Sequence, residues 1–186
     1  MSNSIVSRFI ETSKKVGTDI SQVADLSEAI QYIRKTVDGV CLVPETSLAR
    51  KHRLAEHLLE AGVNVYSGNF RDAGQVVGGG VTFCNFCMAD SGTVTLDSTD
   101  ENVRLATTLP EKHFILADPA SILADNLAAV GPMNALHAGS EPKFIAYITG
   151  PSRTADIERV LTIGCHGPRE LHILLVDNIS DDLLEN

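Results

Sequence analysis

Phe144-Ile145-Ala146-Tyr147-Ile148-Thr149-Gly150-Pro151-Ser152-Arg153-Thr154-Ala155-Asp156-Ile157-Glu158 is the stretch on which the reading of this chain turns. The apolar run Phe144 to Ile148 predicts a buried strand, and Gly150-Pro151 breaks it. Ser152 or Thr154 then stands as the cap of a short helix running to about Leu161. A strand that turns tightly into a helix aims free backbone N–H groups at one point. The helix dipole adds partial positive charge there, and Arg153 adds a full one. The pattern predicts an anion site at Gly150, Ser152, Arg153 and Thr154. Downstream, Gly164-Cys165-His166-Gly167-Pro168-Arg169 forces a second loop, with His166 in it, before the apolar strand Leu171 to Val176. Side-by-side strands would bring both loops to one sheet edge. The same Gly, Pro and Ser residues also serve turn geometry alone.

The chain has 186 residues, enough for one well-filled domain. It contains no Trp and only 5% aromatic residues among 44% hydrophobic ones, so its core is aliphatic. That suits a buried parallel sheet flanked by helices. A net charge of -9 without a basic cluster argues against nucleic acid and against an anionic membrane surface. Arg104, Arg153 and Arg169 stand out against that background as local positive features that support an anion pocket, with Arg104 and Arg153 as candidate ligands. No apolar run is long enough for a membrane span, and the N-terminus reads as a helix face, not a signal-peptide core. Four cysteines are too few for a disulfide scaffold, which predicts a cytoplasmic protein with reduced thiols.

In chain order, Ser4 to Lys15 predicts an amphipathic helix and Thr18 to Ala24 a connector. Asp25-Leu26-Ser27-Glu28 predicts a capped helix start, with Gly39 closing that helix. Val40 to Val43 predicts a strand, Thr46 or Ser47 the cap of a helix ending at Gly62, and Val63 to Tyr66 the next strand. This alternation is that of an α/β layer fold. In the middle third, Val81 to Met88, Thr93 to Leu96 and Val103 to Thr107 predict a small antiparallel hairpin portion. His113 to Ala117 predicts a strand. Asp118-Pro119 predicts the start of a helix that stops at Gly131-Pro132. The division expected is a helical segment over 1–39, an α/β core over 40–178 and a frayed acidic tail over 179–186, all in one domain.

Several residues carry candidate chemistry. Cys84-Asn85-Phe86-Cys87 is a CxxC, which serves as a redox pair, as half of a metal site, or as two small apolar residues packed near a turn. No second CxxC accompanies it, which favours packing and leaves no metal site assigned. Gly78-Gly79-Gly80 matches neither GxGxxG nor GxxxxGK[ST]. It reads as a loop, or as backbone approaching an anion, with Gly79, Gly80 and Thr82 as ligands. Asp90-Ser91-Gly92 puts a carboxylate in a tight turn, as general base, nucleophile or simple turn former; Ser91 and Gly92 join the anion set. An imidazole's unperturbed pKa lies near neutrality, so His166 is read either as an acid–base group or as a loop hydrogen-bonder. His52 and His57, five apart on one helix, read as solvated.

These residues carry a resemblance to the LUD-domain family. Gly150 to Glu158 and Gly164 to His172 match the family's C-terminal block almost letter for letter. Ala89-Asp90-Ser91-Gly92-Thr93 resembles its central motif, and Arg104-Leu105-Ala106-Thr107-Thr108-Leu109-Pro110 followed by His113 resembles the next block. The likeness runs from about Gly80 to Asn178. It implies an open α/β sheet similar to the sugar-phosphate isomerase and CoA-transferase group. It implies a role in oxidising L-lactate to pyruvate, as one of three subunits encoded together, with iron–sulfur subunits as partners. This chain has no iron–sulfur cysteine run, so no cofactor is expected and it resembles a non-redox accessory subunit that binds a small anion. A different reading is a stand-alone enzyme acting on a phosphorylated or CoA-linked metabolite, with Asp90 as base or nucleophile and His166 assisting. A third is a Cys84/Cys87 redox or metal module. The sequence departs from the family where Cys84 and Cys87 replace small or apolar residues and Asn85 replaces a common acidic one.

Overall fold

The computed structural model describes residues 2–74, 77–155, 161–164, 166–180 and 182–186. Its centre is the strand β12 (Glu170–Val176), whose last six residues are all buried. Alternate side chains leave opposite faces of a strand. Leu174 and Val176 accordingly enter one core cluster, and Leu171, Ile173 and Leu175 another. Burial on both faces is what a continuous apolar run in a parallel sheet requires. The strand β7 (Lys112–Ala117) pairs in parallel beside it, with Phe114 and Leu116 on the first face and Ile115 and Ala117 on the second.

Around this pair the main sheet is wholly parallel. It adds β1 (Asp19–Val23), β2 (Val40–Leu42), β3 (Asn64–Val65) and β4 (Val77–Phe83), in the order β1-β12-β7-β4-β2-β3. The helix α1 (Ser2–Lys15) covers the second face through Val6 and Phe9. The helices α2 (Leu26–Thr36), α3 (Ser47–Lys51) and α4 (Leu54–Glu60) cover the first through Ile33, Leu48, Leu54 and Leu58. Asp25 caps α2 by accepting from the Glu28 amide at 2.9 Å, and the Glu28 carboxylate accepts from the Ala24 amide at 2.7 Å. This is the reciprocal cap that the sequence pattern predicts. A second sheet, in the order β8-β5-β6-β9, comprises β5 (Phe86–Met88), β6 (Thr93–Asp97), β8 (Ile122–Leu123) and β9 (Ile145–Ile148). Its β5–β6 and β6–β9 pairs are antiparallel. The α/β class, the open sheet and the small antiparallel portion are as the sequence predicts.

Several local expectations are corrected. Thr18 to Ala24 is not a connector, because Asp19–Val23 forms the edge strand β1 against β12. Its polar, half-exposed side chains hide it from hydropathy. Val103 to Thr107 is not a hairpin arm. It lies in α5 (Glu101–Thr108), capped by Asp100, with Val103, Ala106 and Thr107 inward at helical spacing. No helix starts at Ser152: Arg153–Ala155 is strand β10, antiparallel to β11 (Leu161–Ile163). Residues 156–160, the remainder of that expected helix, lie outside the described residues. Asp118-Pro119 opens only one 3-10 turn; α6 (Asn126–Leu136) begins after Asp125 and runs through Gly131-Pro132. Leu136 and Ala129 bury against Phe86 and Met88, which holds that helix together despite the missing proline N–H. His52 is not solvated. Its ring hydrogen-bonds the Ile179 carbonyl at 3.0 Å and lies 5.7 Å from the Phe83 ring. The acidic tail is not frayed among its described residues, since Ile179 is buried and Asn186 is hydrogen-bonded to Leu48.

Gly78-Gly79-Gly80 lies inside the buried strand β4 and not in a loop. A Cβ on Gly80 would stand 1.9 Å from the Ala106 carbonyl oxygen of α5, and one on Gly78 1.4 Å from the Asp38 carbonyl oxygen. These glycines let neighbouring backbone approach the strand directly. Gly80→Ala is expected to destabilise the fold by about 1–3 kcal/mol through overpacking, read as a lower urea midpoint with an unchanged slope.

Candidate functional site

Two loops meet at the amino edge of the main sheet. The first leaves β9 and runs through Thr149, Gly150, Pro151 and Ser152. The second leaves β11 and runs through Gly164, His166, Gly167 and Pro168 into β12. They are joined by backbone: the Ser152 amide donates to the Pro168 carbonyl at 2.9 Å, and the Gly164 amide donates to the Ser152 carbonyl at 3.0 Å. Gly150 takes a φ of 78°, and a Cβ there would stand 2.4 Å from the Val16 carbonyl oxygen. Only glycine allows that turn to sit so close to the end of α1.

The loops enclose a cavity of about 270 Å³. Its polar walls are Thr149 and Ser152, His166, and, from α5 and β7, Thr107, Thr108 and His113; Ile148, Pro151, Pro168 and Leu171 supply apolar wall. The expectation that both loops gather at one edge is met there. Composition gives no reason to place His113 in the site. It is 1% exposed and hydrogen-bonded through Nε2 to the Thr82 hydroxyl at 2.9 Å. Burial, and after it the neighbouring His172, pushes its pKa down to about 3, so the ring is a neutral hydrogen-bonding group.

The other expected site residues lie at varying distances from this cavity. Thr93 on β6 hydrogen-bonds Ser91 at 2.8 Å and Thr149 at 2.7 Å, so a hydroxyl chain runs from the Asp90 turn to the cavity wall. Asp90 is half-buried beside α1, and its Oδ1 is buried without a hydrogen-bond partner. Gly92, at a φ of 67°, lies against the Ser13 backbone of α1, and Thr12 donates to the Ala89 carbonyl at 2.7 Å. The exposed Arg153 donates to the Val16 carbonyl at the end of α1, a cation at the negative pole of a helix. Thr154 is paired through β10, so the helix-dipole argument for an anion at Gly150–Thr154 does not hold. Arg104 donates to the Ser98 and Thr99 carbonyls at 2.6 and 2.7 Å and lies 5.0 Å over the Phe144 ring. Gly79 packs against Val37, Cys41 and Phe114, and Gly80 against Ala106.

Cys84 and Cys87 are buried in the second core cluster with their sulfurs 3.9 Å apart. The Cys84 sulfur and burial push the Cys87 thiol pKa well up, and burial alone pushes Cys41 to about 12. Such thiols are poor nucleophiles at neutral pH. Among the described residues no group of three His, Cys, Asp or Glu side chains is placed to hold a metal ion. No helix among them is long and apolar enough to cross a membrane. Cys165 lies outside the described residues.

The family model of the LUD domain matches residues 6–176 of the chain. The chain is 36% identical over 101 residues to the lactate utilization protein C of Bacillus subtilis strain 168, covering 53% of this chain and 42% of that protein. It is 35% identical over 100 residues to the protein of the same name from Shouchella clausii, covering 53% and 44%. The matched stretch thus spans less than half the length of these relatives. The crystal structure of a DUF162 family protein from Deinococcus radiodurans superposes with a TM-score of 0.66 at 15% identity, over 95% of this chain and 98% of that one. It shares the fold.

His113 makes the site acid-sensitive. Its folded pKa lies below the ordinary value of 6.5, so the unfolded chain binds the extra proton between those two values. Stability contributed by neutral His113 is present above pH 6.5 and lost as pH falls toward 3. His113→Asn is expected to flatten the fall in urea midpoint between pH 6.5 and pH 4 relative to the parent chain.

Proposed function

The chain belongs to the LUD-domain family, and from that premise we propose that it serves lactate utilisation as a non-redox accessory subunit, with a small organic anion held in the cavity between the Thr149 and His166 loops. The single observation that carries the site is the backbone clasp between Ser152 and Pro168, because it fixes two loops from separate sheets around one cavity in which hydroxyl and imidazole groups are set into a mainly apolar wall. Anion recognition there rests on hydroxyl and imidazole groups, chiefly Thr149, Ser152 and His166. A cavity of this size suits a ligand of a few heavy atoms. The lactate role is taken from the relatives named lactate utilization protein C. The redox partners are inferred to be iron–sulfur subunits because the family resemblance implies them; this chain's four cysteines include no run spaced for a cluster, which fits a non-redox role for it.

The unpartnered Asp90 oxygen and the hydroxyl chain from Ser91 to Thr149 favour one second reading, an enzyme in which Asp90 is the base or nucleophile. The two readings separate in one genetic experiment. Disruption of the gene should abolish growth on L-lactate as carbon source. Thr149→Val with His166→Ala should fail to restore it, whereas Asp90→Asn should restore it. Intact growth of the disrupted strain contradicts the lactate role. Failure of Asp90→Asn, with turnover by the isolated parent chain, supports the enzyme.

A further inference from the structure

The hydroxyls around the amino-edge cavity each carry one proton, and most of those protons are already spent. A hydroxyl donates once and accepts twice. Thr93, only 6% exposed on β6, donates to the Ser91 hydroxyl at 2.8 Å. Its hydrogen bond to Thr149, at 2.7 Å, therefore uses the Thr149 proton. Thr149 lines the cavity, and what its hydroxyl has left for a ligand is lone pairs. On the α5 wall the Thr107 and Thr108 hydroxyls both donate to the Arg104 carbonyl, at 2.9 and 2.7 Å. They too meet the cavity only as acceptors.

The cavity is thus two-sided. Thr149 and the α5 wall accept, whereas Ser152 and His166 on the clasped loops can donate. The direction of the hydroxyl chain resists reversal. For Thr149 to turn its proton into the cavity, Thr93 would have to donate to Thr149 and give up its bond to Ser91. Thr93 is buried, so water is not at hand to replace that bond. A ligand hydroxyl placed against Thr149 finds an acceptor. A ligand ketone placed there sets lone pairs against lone pairs.

We propose that this cavity selects 2-hydroxy acids over the corresponding 2-oxo acids, with Thr149 as the residue that reads the difference and Thr93 as the residue that fixes its orientation. The proposal rests on the anion reading of the cavity given above. The carboxylate takes the Ser152 and His166 donors, and the hydroxyl on the adjacent carbon donates to Thr149. The two acid classes differ there in the direction of one hydrogen bond, and a polar group left facing the wrong partner is what sites of this kind reject. Thr93 does not touch the ligand and acts through Thr149. A subunit with this preference holds the reduced acid and releases the oxidised one.

L-Lactate and pyruvate are the probes, titrated calorimetrically into the parent chain. L-Lactate should bind at least fivefold more tightly than pyruvate. Thr93→Val removes the acceptor that holds the Thr149 proton, so it should tighten pyruvate binding and bring the two acids within twofold of each other. Damage to the site would weaken both acids instead. Thr93→Ser, which keeps the hydroxyl, should keep the preference. Equal affinity for the two acids in the parent chain, tighter binding of pyruvate, or an unchanged ratio in Thr93→Val overturns the proposal and leaves the anion site standing. Binding of neither acid overturns the anion site and the proposal together. Should Thr93→Val fail to fold, Thr149→Val decides. L-Lactate affinity lowered to that of pyruvate supports the proposal, and a preserved preference overturns it.

Discussion

Burial of β7 and β12 on both faces shapes everything else in the molecule. Phe114, Ile115, Ile173 and Leu174 are all fully buried, and they divide between two clusters on opposite sides of one sheet. A parallel pair buried this way demands helices on both faces and crossover connections that leave loops only at the two edges. The amino edge receives the Thr149 and His166 loops. The carboxyl edge receives the tail. The candidate site is therefore a consequence of how the sheet is covered, and it needs no special local fold.

The close approach of backbone to β4 is the second determinant. With glycines at 78, 79 and 80, the strand accepts Asp38 on one flank and Ala106 on another without side chains between. This draws α5 down to the sheet and brings Thr107 and Thr108 to the wall of the cavity. Packing at the glycine strand and the shape of the site are thus coupled, although no glycine of that strand lines the cavity.

Legibility in the sequence tracks the strength of each physical signal. The buried strands Leu171 to Val176 and His113 to Ala117 announce themselves as apolar runs, and the Asp25/Glu28 cap as a reciprocal pattern. The edge strand Asp19–Val23 does not, because an edge strand is half solvated and its polar residues hide its pairing with β12. The Gly-Pro-Ser signal at 150–152 marks a turn correctly but says nothing of the element beyond it; pairing of Arg153 with Ile163 decides that. His113 is legible only as a strand residue. Its place in the site comes from tertiary contact with Thr82 and from the loop that closes over it. The Gly78–Gly80 run reads as a loop because glycine's freedom is more often used in turns than for close packing inside a strand.

Whether the clasped loops at the amino edge hold a small organic anion is best decided by two-dimensional amide NMR of the labelled chain, titrated with L-lactate and with pyruvate. Saturable shifts concentrated at Thr149, Gly150, Ser152, His166 and Gly167 are expected. Absence of saturable shifts at those amides with either ligand would contradict an anion site between these loops.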